Sequence, residues 1–241
     1  MNPDVLARVD ALLLHEECIK PRAPRELREW VLAKCRAFRD IPELRAPVLL
    51  HEGPFKWFHE EIYPLSLFAL RHYGDRDDVL FVPKRDPGRD VDAEVREPAR
   101  TIPIEITSAR EPTEHLRMEY LVDHRHVSYT GPLKAEGTKR KGRRIENVTE
   151  FEDHRVSRSR HLDWIKTAAR GKAGPGRYGK TYQLLIAVED WWFDADDARE
   201  VGGFIEREVL TLPLEFDAVH LVGMTEHLFL TFPLARGPKG K

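Results

Sequence analysis

The chain has 241 residues, is 41% hydrophobic and 33% charged, and carries a formal net charge of −2. This composition suits a soluble globular fold and excludes a low-complexity or fibrous chain, and its longest apolar runs, such as "LLIAV", are too short to cross a bilayer. With only Cys18 and Cys35, neither a disulfide framework nor a cysteine-rich zinc site is expected. The N-terminal "MNPDVLARVDALLLHEEC" lacks the basic start and small-residue cleavage site of a secretory signal, so the expected location is a reducing cytoplasm.

Asn2 and Pro3 read as a helix N-cap and first-turn proline, with Val5, Val9, Leu12 and Leu13 at helical spacing until Pro21. Pro24 opens a second helix with the stripe Leu27, Trp30, Val31, Cys35 and Phe38, stopped before Pro42. Residues 1–47 are therefore an expected N-terminal helical cap. A third helix spans 53–74, with a kink expected at Pro64. Glu61 lies between Phe58 and Leu65 on its apolar stripe, where a carboxylate is costly unless something pairs with it.

Three short strands follow, at 78–84, 90–95 and 101–108. The segment 110–158 is long and charged, with a helix expected near 113–122. Residues 159–172 read as a helix with Leu162, Ile165 and Ala169 inward. The apolar run 181–190 reads as a central strand covered on both faces. A helix over 196–211 and a strand pair, "FDAVHLVGM" with "HLFLTF", close the chain. The expected class is α/β, with a mixed central sheet of at least four strands flanked by helices over 48–241.

Charge is segregated along this order. From Lys134 to Lys180 there are fourteen Lys/Arg against six Asp/Glu, a net of +8, which leaves −10 to the rest of the chain. Lys139, Arg140, Lys141, Arg143, Arg144, Lys166 and Lys180 belong to this block. It suits a surface facing a polyanion, and "KAEGTKRKGRR" suits a solvated loop equally well.

Chemistry concentrates in "GRDVDAEVREPARTIPIEITSAR". Alternation puts Asp90, Asp92 and Glu94 on one face of a strand, and Glu105 with Thr107 on one face of the next. If the two strands pair, carboxylates face each other and repel. Solvent tolerates such a pair, and so does a divalent cation between the oxygens. Mg²⁺ (or Mn²⁺) favours one or two carboxylates, retained waters and substrate phosphate oxygens.

A helix with an inward Glu, a strand with Asp, a hairpin, a strand with Glu-x-polar, a helix and a buried strand together resemble the PD-(D/E)XK nuclease superfamily, or restriction-endonuclease-like fold. The resemblance covers about residues 53–232 and omits the N-terminal helices. It implies a metal held by Asp92 (or Asp90) and Glu105, with Glu61 (or Glu60) as the first-helix carboxylate. The sequence departs from the family's pattern at Thr107, which occupies the motif lysine position. A hydroxyl orients water but supplies no positive charge, so Lys84, Lys166 and Lys180 are candidates to bring it.

Other motifs carry less. His124 and His126 in "DHRH" are spaced as strand ligands are, without partners at zinc-site spacing. No dinucleotide fingerprint, P-loop or nucleophile elbow is present. Trp191 and Trp192 either stack on bases or finish a hydrophobic edge, the latter being the commoner outcome. The expected activity is a Mg²⁺-dependent nuclease acting on nucleic acid, DNA in the first instance, with a restriction or phage-defence role and no membrane partner; a homodimer is compatible. The alternatives are an inactive nuclease-fold module that binds nucleic acid, or a structural subunit that meets an acidic partner.

Overall fold

The computed structural model describes residues 9, 11–85, 91–127, 133–137, 143–147, 153–179, 181–191, 193 and 196–234. Helix α1 (Pro24–Arg39) starts at a proline whose missing N–H costs nothing in a first turn, and it ends at Asp40. Single turns at Pro42–Leu44 and Arg45–Leu49 lead into a helical rod from Pro54 to Tyr73. The rod changes pitch on the way. An α turn at Pro54–Trp57 passes into a π turn at Phe58–Ile62 and then into helix α2 (Tyr63–Tyr73). Tyr63 N–H donates to the Phe58 carbonyl, five residues back. Pro64 has no N–H to offer, so the ladder widens just before it, and this π turn stands where the sequence predicts a kink.

Strands β1 (Leu80–Pro83), β2 (Ala93–Glu97) and β3 (Arg100–Ala109) form an antiparallel meander. After β3 come helix α3 (Glu114–His124) and a separate hairpin of β4 (Leu133–Glu136) and β5 (Arg144–Asn147). Helix α4 (His154–Gly171) follows, and its N-cap Asp153 accepts the Arg155 N–H. It returns the chain to β6 (Gln183–Val188), which lies parallel to β3. Helix α5 (Ala198–Phe204) and a π turn at Ile205–Val209 lead to β7 (Ala218–Gly223), parallel to β6, and β8 (Phe229–Pro233) pairs antiparallel with β7.

Among the described residues the result is a mixed six-stranded sheet in the order β1-β2-β3-β6-β7-β8. Helices cover both faces. Leu27 and Val31 of α1 and Leu65 and Phe68 of α2 pack with Phe81, Val95, Ile104, Ile106 and Leu185. On the other face, Ile165 and Ala169 of α4 and Val201 of α5 pack with Leu184, Ile186 and Val188. Successive residues of β6 thus enter opposite cores, as expected of a strand covered twice. No described helix is long and apolar enough to cross a membrane.

Two buried polar residues fix the far side of the sheet. Asp190, fully buried, accepts the Thr225 N–H (2.7 Å) and hydroxyl (2.6 Å) and the N–H groups of His227 (2.9 Å) and Leu228 (3.0 Å). The β7–β8 turn is therefore tied to the residue two after β6. Gly223 makes room for this, since a Cβ there would lie 1.9 Å from Asp190 Oδ2. His220, 1% exposed, sits between Thr231 Oγ1 (3.0 Å) and Gln183 Oε1 (3.2 Å).

Candidate active site

The register of β2 and β3 decides where the acids go. Ala93 pairs with Ile104, so the next step outward brings Asp92 opposite Glu105. Asp92 N–H donates to the Ile104 carbonyl at 3.1 Å, and Lys84 N–H donates to the Asp92 carbonyl at 2.8 Å. The Asp92 carboxylate turns onto the neighbouring strand, where its Oδ2 accepts the Ile106 N–H at 2.7 Å. Its pKa is raised to about 6, first by burial and then by the charge of Glu105; the Ile106 N–H and the Lys172 charge act against the shift.

Glu105 occupies a position on the face covered by α4 and is only 6% exposed. A leucine there would contribute about 1.5–3 kcal/mol by burial, whereas a lone carboxylate would cost several. Two partners offset that cost. The Tyr178 hydroxyl donates to Glu105 Oε1 at 2.9 Å, and the Lys172 ammonium donates to the same oxygen. Lys172 caps the C-terminal end of α4, and Tyr178 stands in the following loop with its ring against Phe216. Burial and the bond to Glu105 push the Tyr178 hydroxyl well above the usual phenol range.

Glu61 enters from the other side of the cluster, on the π turn. The pKa of this half-buried carboxyl is pushed up to about 8, first by burial, then by Asp92, with smaller contributions from Glu60 and Glu105. The adjacent Glu60 goes elsewhere. Its Oε1 lies 3.1 Å from Arg110 Nη1, which also lies 3.2 Å from His51 Nδ1. Although burial works against it, His51 and Arg110 hold the Glu60 carboxyl below the usual range. The widened turn thus divides two consecutive acids between an ion pair and the carboxylate cluster. π turns recur at functional sites for this kind of re-aiming.

Thr107, partly exposed, opens with Lys172, Ser108, Ile106, Glu60 and Arg110 onto a depression of about 340 Å³. Lys172 therefore reaches the place where Thr107 supplies no charge. Two of the sequence candidates for that cation are otherwise committed: Lys84 Nζ lies 3.0 Å from Glu94, and Lys166 Nζ donates to Glu208 at 2.6 Å. Lys180 and Asp90 lie outside the described residues, as do Lys139, Arg140, Lys141 and Trp192. The signal for Lys172 was present, because Leu162, Ile165, Ala169 and Lys172 follow one another at spacings of three, four and three along the inward stripe of α4. Tyr178 had no comparable signal.

The basic block divides between α4 and the β4–β5 hairpin. Arg144 is exposed, while Arg143 Nη1 donates to Glu119 on α3 at 3.1 Å and anchors the hairpin. His124 ends α3 rather than lying on a strand; Arg125 takes a left-handed conformation (φ 62°), and His126 Nδ1 bonds the His124 carbonyl at 2.8 Å.

Among the described residues no three His, Cys, Asp or Glu side chains are drawn together into a metal-holding group. The donor set nevertheless suits a hard divalent cation. Asp92, Glu105 and Glu61 are three acids against one ammonium, and burial first, then the charge of the neighbouring carboxylates, makes Asp92 and Glu61 resist ionisation. Such repulsion is what a bound cation relieves, through carboxylate oxygens and retained water. The chain matches no family model, no curated protein and no solved structure.

Proposed function

We propose that this chain is a metal-dependent phosphodiesterase acting on nucleic acid, DNA in the first instance, built on a restriction-endonuclease-like scaffold of the PD-(D/E)XK type. The observation that carries this reading is the Lys172 ammonium on Glu105, beside the Asp92 carboxylate across the strand pair. It supplies the cation that Thr107 lacks, from a different element. Asp92 and Glu105 would hold Mg²⁺ or Mn²⁺, with Glu61 as a further ligand or hydrogen-bond partner of its water. Bound there, the ion would polarise a phosphoryl oxygen and lower the pKa of a water.

The chain's own residues do the rest. Lys172 orients the attacking water and offsets charge developing on the phosphoryl group. The Thr107 hydroxyl offers a second hydrogen bond to that water. Tyr178 keeps Glu105 in place by holding Oε1. The basic segment around Arg144 contacts backbone phosphates, which makes affinity fall steeply with salt. A restriction or phage-defence role is consistent with such an activity. The test is a plasmid and single-strand digestion series in Mg²⁺, Mn²⁺ and chelator. Cleavage that needs the metal and disappears in Glu105→Ala supports the reading, and no cleavage under any metal sinks it.

A second reading rests on the same ion pair. The Lys172–Glu105 contact is also what a nuclease-fold binding module would keep as a structural pair. DNA binding without cleavage in the digestion series selects it.

A further inference from the structure

A second cavity, of about 230 Å³, lies at the carboxyl ends of the parallel strands β3 and β6. Arg110, the first residue after β3, and Glu189, the first after β6, line it, and α4 contributes Arg160, His161 and Trp164. Crevices outside the carboxyl ends of strands are where open α/β sheets take ligands. The volume falls below the roughly 300–1,000 Å³ of pockets for drug-sized molecules, so it suits a ligand of one or two rings. The lining combines aromatic planes with both signs of charge: His161 and Trp164 lie 4.4 Å apart between ring centroids, and Arg110 is 3.7 Å from Glu114.

Trp191 at the mouth is the decisive residue. It is 62% exposed, more than any other large apolar side chain among the described residues. The sequence reading favoured a tryptophan finishing a hydrophobic edge, and this exposure contradicts that for Trp191. Its position is nevertheless fixed. The indole N–H donates to Glu189 Oε2 at 2.6 Å, and the adjacent Asp190 is held by four hydrogen bonds. An exposed aromatic plane on a rigid base, beside donors and acceptors, is a stacking platform.

We propose that this cavity binds a single nucleobase, stacked on Trp191 at the mouth and hydrogen-bonded to the charged groups within. The inference rests on the reading of the chain as acting on nucleic acid, and Arg110 joins the two sites because it lines both depressions. The base comes either from a free nucleotide or from an unstacked position in a bound strand.

The experiment is calorimetric titration of the full chain in EDTA with AMP, GMP, CMP and TMP separately, deoxyribose 5-phosphate serving as the base-free control. A single strand containing 2-aminopurine is followed in parallel by its fluorescence. Saturable binding of at least one mononucleotide, none of the sugar phosphate, weakening of about tenfold in Trp191→Ala and recovery in Trp191→Phe support the proposal with a free nucleotide as source. The same variant pattern seen only in the 2-aminopurine signal supports it with the strand as source. No binding in either arm, or Trp191→Ala binding as wild type does, overturns it. The titrations read binding in EDTA and the digestion series reads cleavage in metal, so failure of this proposal and failure of the nuclease reading are seen separately.

Discussion

The Lys172 ammonium meets Glu105 from the end of the helix that covers its face of the sheet, while the residue two positions along the same strand, Thr107, carries no charge. The positive group and the carboxylate therefore share a site without sharing a strand. Lys172→Ala should lower metal-dependent cleavage by about 10²–10³-fold, the usual cost of removing one preorganised donor. Thr107→Lys alone should also lower cleavage, because it crowds a second ammonium against the first. In the Lys172→Ala background Thr107→Lys should instead restore part of the rate. Equal effects of Thr107→Lys in both backgrounds would show that the two positions do not serve one role.

Metal-free stability should depend on pH through Glu61 and Asp92. Both have folded pKa values above their ordinary ones, about 8 against 4.5 and about 6 against 3.8. The folded state then holds protons that the unfolded chain releases. Their stabilisation is complete below about pH 4 and is lost as pH rises, to about 6 for Asp92 and about 8 for Glu61. Glu61→Gln should flatten the upper part of that decline. Mg²⁺ should raise the melting temperature more at pH 8 than at pH 6, as thermal scans at the two values would show. A Mg²⁺ effect independent of pH would separate these carboxylates from the metal.

How much of this was legible depended on whether a residue's partner lies within reach of a periodic pattern. The Asp92–Glu105 pairing follows from period-two alternation and a short connection, and the structure brings the two opposite one another, one step beyond the Ala93–Ile104 pair. Lys172 is legible from helical spacing, as the last residue of the inward stripe Leu162, Ile165 and Ala169. Pro64 marks a break in the helix, but how the π turn divides the acids, Glu60 to Arg110 and Glu61 toward Asp92, was not legible, since it depends on which side each acid finds a partner. Nor was the β4–β5 hairpin, whose short strands of four residues are rich in charge. Asp190 was opaque for a different reason: its partners are backbone N–H groups 35 to 38 residues away, and backbone donors leave no trace in sequence.

The basic segment predicts a salt dependence. Charge reversal at Lys139, Arg140, Lys141 and Arg144 should weaken DNA binding, and each lost phosphate contact should reduce the log–log salt slope by roughly 0.7–0.9. Arg143 is left intact, because its bond to Glu119 fixes the hairpin on α3. Fluorescence anisotropy across a salt series gives the slope. A slope equal to that of wild type would make the segment a solvated loop.

Asp190→Ala should be among the most damaging single substitutions. It removes an acceptor from three backbone N–H groups and a hydroxyl, leaving buried donors without a partner, at a cost on the order of 3–5 kcal/mol. Gly223→Ala should also destabilise, because its methyl would overlap the Asp190 carboxylate, which is too short and too well bonded to move aside. Urea titration of both variants measures this. Asp190→Ala within 1 kcal/mol of wild type would mean that the turn finds other partners.

His220, like His59, resists protonation in the fold. Burial, with a smaller contribution from His72, lowers its pKa from 6.5 to about 3, so the folded state refuses a proton that the unfolded chain accepts. The contribution is fully present above about pH 6.5 and is lost as pH falls toward 3, with a slope of about 1.4 kcal/mol per pH unit for the one extra proton. This runs opposite to the Glu61 and Asp92 effect, and the two windows overlap between about pH 4 and 6.5, so over that range the effects offset one another. His220→Leu removes the titration but strands Gln183 and Thr231 without their partner, at a cost of about 1–3 kcal/mol at neutral pH. The variant should therefore be less stable than wild type at pH 7 and should approach it as the solution is acidified. Urea midpoints at pH 7, 5.5 and 4 decide the matter. If the gap between the two proteins stays constant across that range, the His220 imidazole is not what fails first in acid.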